Sequence, residues 1–364
     1  VRGHTRGNPH PNAITKGIHV PPAVLVIDKP RGPTSHDVVA KLRRVLRTKH
    51  IGHCGTLDPM ATGVLVVAIE EATKLVPWLT ADDKAYVATV RLGAATDSLD
   101  ADGTLTIHAP ISADLRHELE RLAQVPWSAP NATMNAAGAT PLVSEALEAE
   151  RQRTLQVPPA VSAVRIGGQR AHELTRQGRP PELEARSCKV HSLHIIGVRV
   201  DPEPEIDLAV EAGKGFFVRS LARDIAAALG TVGYLTALRR TRSGAFTAQE
   251  AVSIEERAEA LLDAALPLPI AASRALATNV LTEAGARAVS CGQRVHLRDI
   301  APPHSSGPCA WLSERGELLA IGTLDDERDA ASTSASESHA ESGSESKTGR
   351  VLRGFAAAQK NGTA

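Results

Sequence analysis

Aromatic residues are scarce in this 364-residue chain: Phe, Trp and Tyr together make up 2% of it. Hydrophobic residues still reach 42%, and the length suffices for one large unit and a small one, so the core has to rest on Val, Leu, Ile and Ala. Cysteine is scarce too. Cys54, Cys188, Cys291 and Cys309 lie far apart with no Cys-x-x-Cys pair, which argues against a zinc ribbon and for reduced thiols in the cytoplasm. The pairs His50/His53 and His191/His194 have no Cys or carboxylate partners at ligand spacing, so no metal is expected. No apolar run approaches the roughly 20 residues that cross a bilayer. No apolar signal-peptide region stands near the first residue, and no membrane association is expected. A P-loop and a dinucleotide fingerprint are missing as well, since Gly213-Lys214-Gly215 lacks the Walker spacing.

A basic excess is also absent, because 41 Lys and Arg balance 41 Asp and Glu. The balance conceals a separation. Residues 325–347 hold Asp325, Asp326, Glu327, Asp329, Glu337, Glu341 and Glu345 against Arg328 and Lys347, a net of −5 that leaves the rest at +5. Nucleic-acid affinity depends on local basic patches, so the neutral total does not exclude an RNA partner.

What the chain does have is concentrated in Gly52-His53-Cys54-Gly55-Thr56-Leu57-Asp58-Pro59-Met60-Ala61-Thr62-Gly63, directly before the apolar run Val64 to Ile69. Pro59 restricts Asp58 to extended conformations, and a carboxylate on a constrained loop beside a buried strand is well placed to face a ligand. On composition alone, an Asp-Pro turn is the favoured reading of Asp58. The same holds elsewhere: Tyr86 suits a core-facing strand position, Arg219 the surface of a helix's first turn, His53 a loop, and Leu238 ordinary core.

Along the chain, residues 1–19 read as a flexible polar tail. Val24 to Ile27, Val64 to Ile69 and Lys84 to Leu92 read as strands. Thr34-Ser35-His36-Asp37 supplies N-cap residues for a helix whose apolar positions are Val38, Val39, Leu42, Val45 and Leu46. Ser112 to Val125 reads as an amphipathic helix, and 126–150 as an insertion, a surface loop with a short helix near Val143 to Arg153. Two strands, Val190 to Val200 and Ile206 to Glu211, precede a helix over Phe217 to Leu229 that Gly230 ends. A helix over 255–266 follows. Pro267 and Pro269 then mark a domain boundary, so that 20–270 forms the larger unit. Residues 272–328 with 350–356 form a small β-rich unit through Arg294 to Leu297, Cys309 to Ser313, Leu318 to Leu324 and Arg350 to Phe355. The acidic Ser/Ala-rich stretch 329–349 is expected to be disordered.

The Asp58 motif resembles the segment around the nucleophilic aspartate of TruB-type tRNA pseudouridine synthases, bacterial form. Further motifs follow in that family's order. These are Asp28-Lys29-Pro30 with Ser35, Glu71-Ala72-Thr73-Lys74, Lys84-Ala85-Tyr86, and Asp100-Ala101-Asp102-Gly103. Gln156-Val157-Pro158-Pro159, Lys214-Gly215 with Val218-Arg219-Ser220-Leu221, and Leu238-Arg239-Arg240 complete the series, which covers most of 20–250. The resemblance implies an α+β pseudouridine synthase fold, with a central mixed, mainly antiparallel sheet flanked by helices and a small PUA-like C-terminal domain. It implies an isomerase that acts on the T-loop uridine at position 55 of tRNA. No cofactor is needed in principle, because no atom enters or leaves. It makes Asp58 the nucleophile, Arg219 the partner that directs its carboxylate, and Tyr86 a stacking ring and proton relay. His53, Lys29, Lys214, Phe217 and Leu238 become substrate contacts, with Lys41, Arg43, Arg44, Arg239, Arg240 and Arg242 as further phosphate partners. The target base has to leave its stack, at a cost of roughly a few kcal/mol. Departures are Phe216-Phe217 where a threonine and a tyrosine are usual, His172 in place of a common tyrosine, and Glu70 in place of a glycine. A cytoplasmic monomer without an obligatory protein partner is expected. A guide-dependent ribosomal RNA synthase and an RNA chaperone without chemistry are the rival readings.

Overall fold

The structure, a computed structural model, describes residues 20–127, 141–162, 164–179, 181–302, 304–305, 307–324 and 348–355, with the side chains of Arg170 and His172 excepted. The expectations for the 1–19 tail, for residues 329–347 of the 329–349 stretch and for the His172 side chain lie outside the described residues; Thr348 and Gly349, expected in the disordered stretch, instead open the strand Thr348–Gly354.

The strands that matter here are β1 (Ala23–Lys29), β2 (Ile51–His53), β3 (Thr62–Ile69), β4 (Lys84–Leu92), β5 (Val190–Arg199), β6 (Glu205–Ala212) and β7 (Gly233–Ser243) in the larger unit. The smaller one contributes β8 (Thr278–Leu281), β9 (Val295–His296), β10 (Cys309–Ser313), β11 (Leu318–Leu324) and β12 (Thr348–Gly354). The helices are α1 (Ser35–Val45), α2 (Ala113–Ala123), α3 (Pro141–Arg151), α4 (Val218–Ala228), α5 (Leu268–Ala275) and α6 (Glu283–Ser290).

Among the described residues, ten strands form one sheet in the order β5-β6-β4-β7-β3-β1 followed by Val252–Ser253, with β2 added on β3. Only β7 with β3 and β1 with Val252–Ser253 run parallel; the other pairs are antiparallel. The sheet is therefore mixed and mainly antiparallel, as expected. The uninterrupted apolar runs of β1 and β3 follow from burial on both faces. Leu25, Ile27, Leu65, Val67 and Ile69 pack into the cluster under α1, α2, α3 and α4. Their alternating neighbours Val24, Val26, Val64 and Val66 face the opposite cluster with Ala271, Ala310 and Ile321.

Local signals hold where they are short-ranged. Thr34 Oγ1 accepts from the Asp37 N–H at 3.1 Å and Asp37 accepts from the Thr34 N–H at 2.8 Å, a capping box that starts α1. The amphipathic helix expected over Ser112 to Val125 is α2, which Ser112 caps by accepting from the Leu115 N–H. Within 126–150, residues 128–140 lie outside the described residues, and α3 buries Val143, Ala146 and Leu147 in the main core, so the described part of this stretch carries core structure.

Pro269 lies in the first turn of α5, where a missing N–H costs nothing. Pro267 pairs with Ala23 on β1. The chain thus passes from the large sheet into α5, which lies between β1 and the strands β10 and β11. The helix expected over 255–266 is shorter, Ala258–Asp263.

The small sheet has the order β8-β10-β11-β12-β9. Its core is filled by the fully buried Trp311, and a side chain at Gly322 or Gly349 would overlap the indole. Strand β8 and helix α6 lie outside the sequence expectations. Asn279 in β8 is buried, its amide tied to the Ser305 backbone at 3.0 and 3.2 Å.

Candidate active site

Asp58 stands on the connection from β2 to β3, and that connection is tied down along its length. The fully buried Ser35 hydroxyl accepts from the Leu57 N–H at 2.8 Å and donates to the Leu57 carbonyl at 3.1 Å. The Lys29 ammonium donates to the carbonyls of Pro30, Pro59 and Ala61 at 2.9, 3.2 and 2.7 Å. Arg240 donates to Val64, Thr56 and Gly55 carbonyls at 2.7, 3.3 and 3.2 Å. Gly32 N–H donates to the Pro59 carbonyl at 2.8 Å, and Ala61 N–H to that of Asp58 at 3.1 Å. Leu57, Met60 and Ala61 are buried in the core. A short loop with its carbonyls satisfied from below presents the intervening carboxylate in one direction.

Lys29 and Arg240 were expected to meet RNA phosphates. Both are buried and spend their protons on loop carbonyls, so they support the site from inside the fold. Burial lowers the Lys29 ammonium to about 8, with the Asp58 carboxylate pulling the other way. Other expected phosphate partners are also engaged: Lys41 with Glu255, Arg43 with the Ile51 carbonyl, Arg239 bidentately with Asp28 at 2.9 Å, and Arg242 with Glu211. Lys214 and Arg44 are exposed and make no ion pair with the described residues.

The guanidinium of Arg219, on the first turn of α4, grips Asp58 from the side. Its Nε lies 2.9 Å from Oδ2 and its Nη2 3.1 Å from Oδ1, while Nη1 donates to the Ser98 carbonyl at 2.9 Å. Its side chain is 6% exposed and that of Asp58 33%, so the pair closes on the protein side and opens on the other. A second carboxylate, Asp100, stands 3.7 Å from the same Nε. Burial raises the Asp100 carboxyl above its usual range, opposed by the Ser98 hydroxyl and Arg219 and reinforced by Asp58. In sequence Asp100 stands out only within Asp100-Ala101-Asp102-Gly103, where the concentration of carboxylates Asp97, Asp100 and Asp102 is the available signal.

Asp58 sits where two cavities meet. The inner one, about 140 Å³, is lined by Thr56, Leu57, Asp58, Tyr86, Phe217, Arg219 and Leu238 among others. That is well below the roughly 300 Å³ where drug-sized pockets begin and suits a single planar ring. Its walls come from the sheet register: Tyr86 on β4 faces Arg240 on β7, two residues beyond Leu238. Burial raises the Tyr86 phenol, with the Arg240 guanidinium opposing and Asp58 reinforcing. The outer cavity, about 720 Å³, shares Ser162 with the inner one and adds His36, His53, Ser98, Asp100, Asp102, Val161 and Arg176. His36 and His53 meet edge to face at 5.1 Å between ring centres. Burial, then His36 and Arg240, lowers His53 below its ordinary value. Among the described residues no three His, Cys, Asp or Glu cluster as a metal would require, and no helix is long and apolar enough to cross a membrane.

Asp58, Tyr86, Arg219, Phe217, Leu238 and His53 thus come together around one opening, whereas Lys29 lies beneath the loop and Lys214 on the exposed turn before Phe217. The family model described as TruB family pseudouridylate synthase (N terminal domain) matches residues 43–126 and 131–218, and that described as tRNA pseudouridylate synthase B C-terminal domain matches 219–268. The chain belongs to the TruB family. This family's match is interrupted only at 127–130, so most of 126–150 is shared with it. A Thermobifida fusca relative named tRNA pseudouridine synthase B is 40% identical over 303 residues, 82% of this chain and 93% of the relative. One from Mycobacterium tuberculosis, of the same name, is 43% identical over 239 residues, 65% and 72% of the two chains. A solved structure described as a Cbf5-Nop10-Gar1 complex superposes with a TM-score of 0.61 at 22% identity, covering 92% of this chain and 84% of that one, which bears out the fold.

Proposed function

We propose that this chain isomerises the T-loop uridine at position 55 of tRNA to pseudouridine, with Asp58 as nucleophile. The observation that carries this is the carboxylate held bidentately by Arg219 at the mouth of a ring-sized pocket walled by Tyr86 and Leu238. In the reaction the bond from N1 of the base to the ribose breaks, the base turns over, a bond from C5 to the same ribose carbon forms, and the C5 hydrogen leaves as a proton while N1 takes one up; the bond that Asp58 forms on the way is broken again before product leaves. Product and substrate are isomers, so no cofactor has a part. A carboxylate serves as covalent nucleophile, the inner pocket retains the freed base, and the Tyr86 ring and hydroxyl stack on it and pass the proton. The outer cavity takes the ribose and flanking backbone of a base swung out of its loop, where single-stranded RNA is already partly unstacked. His53 lies beside that extruded nucleotide, and Lys214 and Arg44 meet phosphates. The small sheet assists RNA binding, and the chain works as a cytoplasmic monomer.

The test is mass-spectrometric mapping of pseudouridine in unmodified tRNA incubated with the purified chain, without guide RNA, metal or nucleotide, after treatment with a reagent that marks pseudouridine but not uridine, since the two have equal mass. Wild type is expected to convert the T-loop uridine. Asp58→Ala should abolish conversion while tRNA affinity stays within about threefold. Full turnover by Asp58→Ala would remove the nucleophile, and conversion only with a guide RNA would favour the ribosomal reading. A folding benefit to tRNA with no conversion by wild type would favour the chaperone.

A further inference from the structure

The segment 155–187 leaves the main body and returns beside its start. Leu155–Gln156 pairs antiparallel with Arg186–Ser187 at its base. Between them the segment supplies Val161, Ser162 and Arg176 to the wall of the outer cavity. At the base, Gln156 is 2% exposed. Its Oε1 accepts from the Phe217 N–H at 2.9 Å and its Nε2 donates to the Phe217 carbonyl at 3.2 Å. Phe217 immediately precedes α4 and has no side-chain cap of its own. The next residue of the segment joins the same turn: the Val157 carbonyl accepts from Ser220 Oγ at 2.8 Å and from Arg223 Nη2 at 3.0 Å. Positions 217, 220 and 223 are thus tied to the segment, and Arg219 stands between them.

We propose that Gln156 is a positioning residue that sets the first turn of α4, and through it the aim of Arg219 on Asp58, according to how the 155–187 wall is seated. The inference rests on the function proposed above. The physical reason is leverage at short range. A carboxamide that makes both bonds of a peptide pair fixes the Phe217 peptide in two directions, and Arg219 is two residues away. The parallel bonds of Arg219 to Asp58 tolerate only a few tenths of an ångström before one is lost, and a misplacement of about 1 Å at a reacting group costs on the order of 100-fold in rate. RNA that presses on Val161, Ser162 or Arg176 loads the anchor at 156–157, so contact with the wall and the geometry of Asp58 are coupled. A merely structural glutamine, satisfying a buried backbone pair, would lower stability and leave the chemical step untouched.

The experiment is a double-mutant cycle. Single-turnover rate at saturating tRNA, tRNA affinity and thermal melting are measured for wild type, Gln156→Met, Arg219→Lys and the double variant. Expected is a fall of about 10- to 100-fold in the rate for Gln156→Met, with affinity changed less than about threefold. Adding Gln156→Met to Arg219→Lys should then cost under about threefold more, because both act on one geometry. An unchanged Gln156→Met rate, a rate that falls only in step with affinity, or fully additive losses would each overturn the proposal. Should Gln156→Met fail to fold, Gln156→Glu decides. It keeps the acceptor for the Phe217 N–H and loses the donor to the carbonyl, and it should also slow the step; a wild-type rate in that variant overturns the inference. Failure of the wild-type chain to convert tRNA refutes the proposed function instead, and is read separately in the same assay.

Discussion

Replacing Arg219 with lysine tests whether direction, rather than charge alone, is what the guanidinium supplies. The lysine ammonium keeps the positive charge near Asp58 and Asp100. It loses the pair of parallel bonds to Asp58, at 2.9 and 3.1 Å, together with the bond to the Ser98 carbonyl at 2.9 Å. Removing one member of a buried pair outright costs about 3–5 kcal/mol of stability. Here water reaches a third of the Asp58 side chain and a cation remains, so the stability loss is about 1–2 kcal/mol. At about 2–4 °C per kcal/mol for a chain of this size, the melting temperature should fall by less than about 8 °C. The rate should suffer more. A carboxylate free to turn loses the near-attack placement, and a displacement of about 1 Å corresponds to roughly a 100-fold drop, or about 2.7 kcal/mol in the barrier. The assay is release of tritium from carbon 5 of the target uridine in single turnover, with tRNA affinity measured alongside. If Arg219→Lys converts tRNA within about twofold of wild type at equal affinity, the bidentate geometry is not what the reaction needs and the reading of this site is wrong.

Two other perturbations follow from the same loop. Gly63 has φ +97°, and a side chain there would land inside the Arg240 backbone on the parallel strand β7, so Gly63→Ala should cost about 3 kcal/mol or more by the combined strain and overlap, and most of the activity; a variant that melts like wild type in circular dichroism would contradict that close approach. Lys29 titrates at about 8 in the fold against 10.5 unperturbed, chiefly through burial. Between those values the unfolded chain binds the proton that the folded chain has released, so stability rises with pH through this window and the cost of the charged ammonium is greatest below about 8. Lys84 is lowered to about 8 as well, while the buried Cys54 thiol, raised to about 12, opposes the rise above about 9, so Lys29→Met should flatten the rise chiefly between about 8 and 9; urea unfolding across that range, with equal slopes for variant and wild type, would show that Lys29 does not titrate there.

Much of the site was legible because its carriers are local. The apolar runs of β1 and β3 needed only their composition, the capping box of α1 lies within four residues, and the strand bearing Tyr86 begins and ends where the alternation predicts, at Lys84 and Leu92. Basic residues were harder, because a lysine or arginine reads the same whether its head meets phosphate or a carbonyl. Lys29 and Arg240 turned inward to the Ala61, Thr56 and Gly55 carbonyls of the Asp58 loop, a gap that a long cationic side chain can span. Pro269 opens α5, because the ring that breaks a helix interior is tolerated in a first turn. Asp100 escaped notice because its role depends on proximity to Arg219, far along the chain. Strand β8 escaped because four residues with one buried Asn carry little period, and its parallel partner β10 lies some thirty residues on.

By itself, then, the order of residues determined the elements, the family they belong to and the group of side chains worth suspecting, since hydrophobic period, caps and short motifs act over a turn or a strand. Which of those side chains meet was decided by the tertiary fold alone. Asp58 and Arg219 are 161 positions apart, and they touch only because the sheet sets β3 beside β7 and α4 packs over it. Pairing at that separation is set by the summed burial of both sheet faces, a property that no local window of sequence contains.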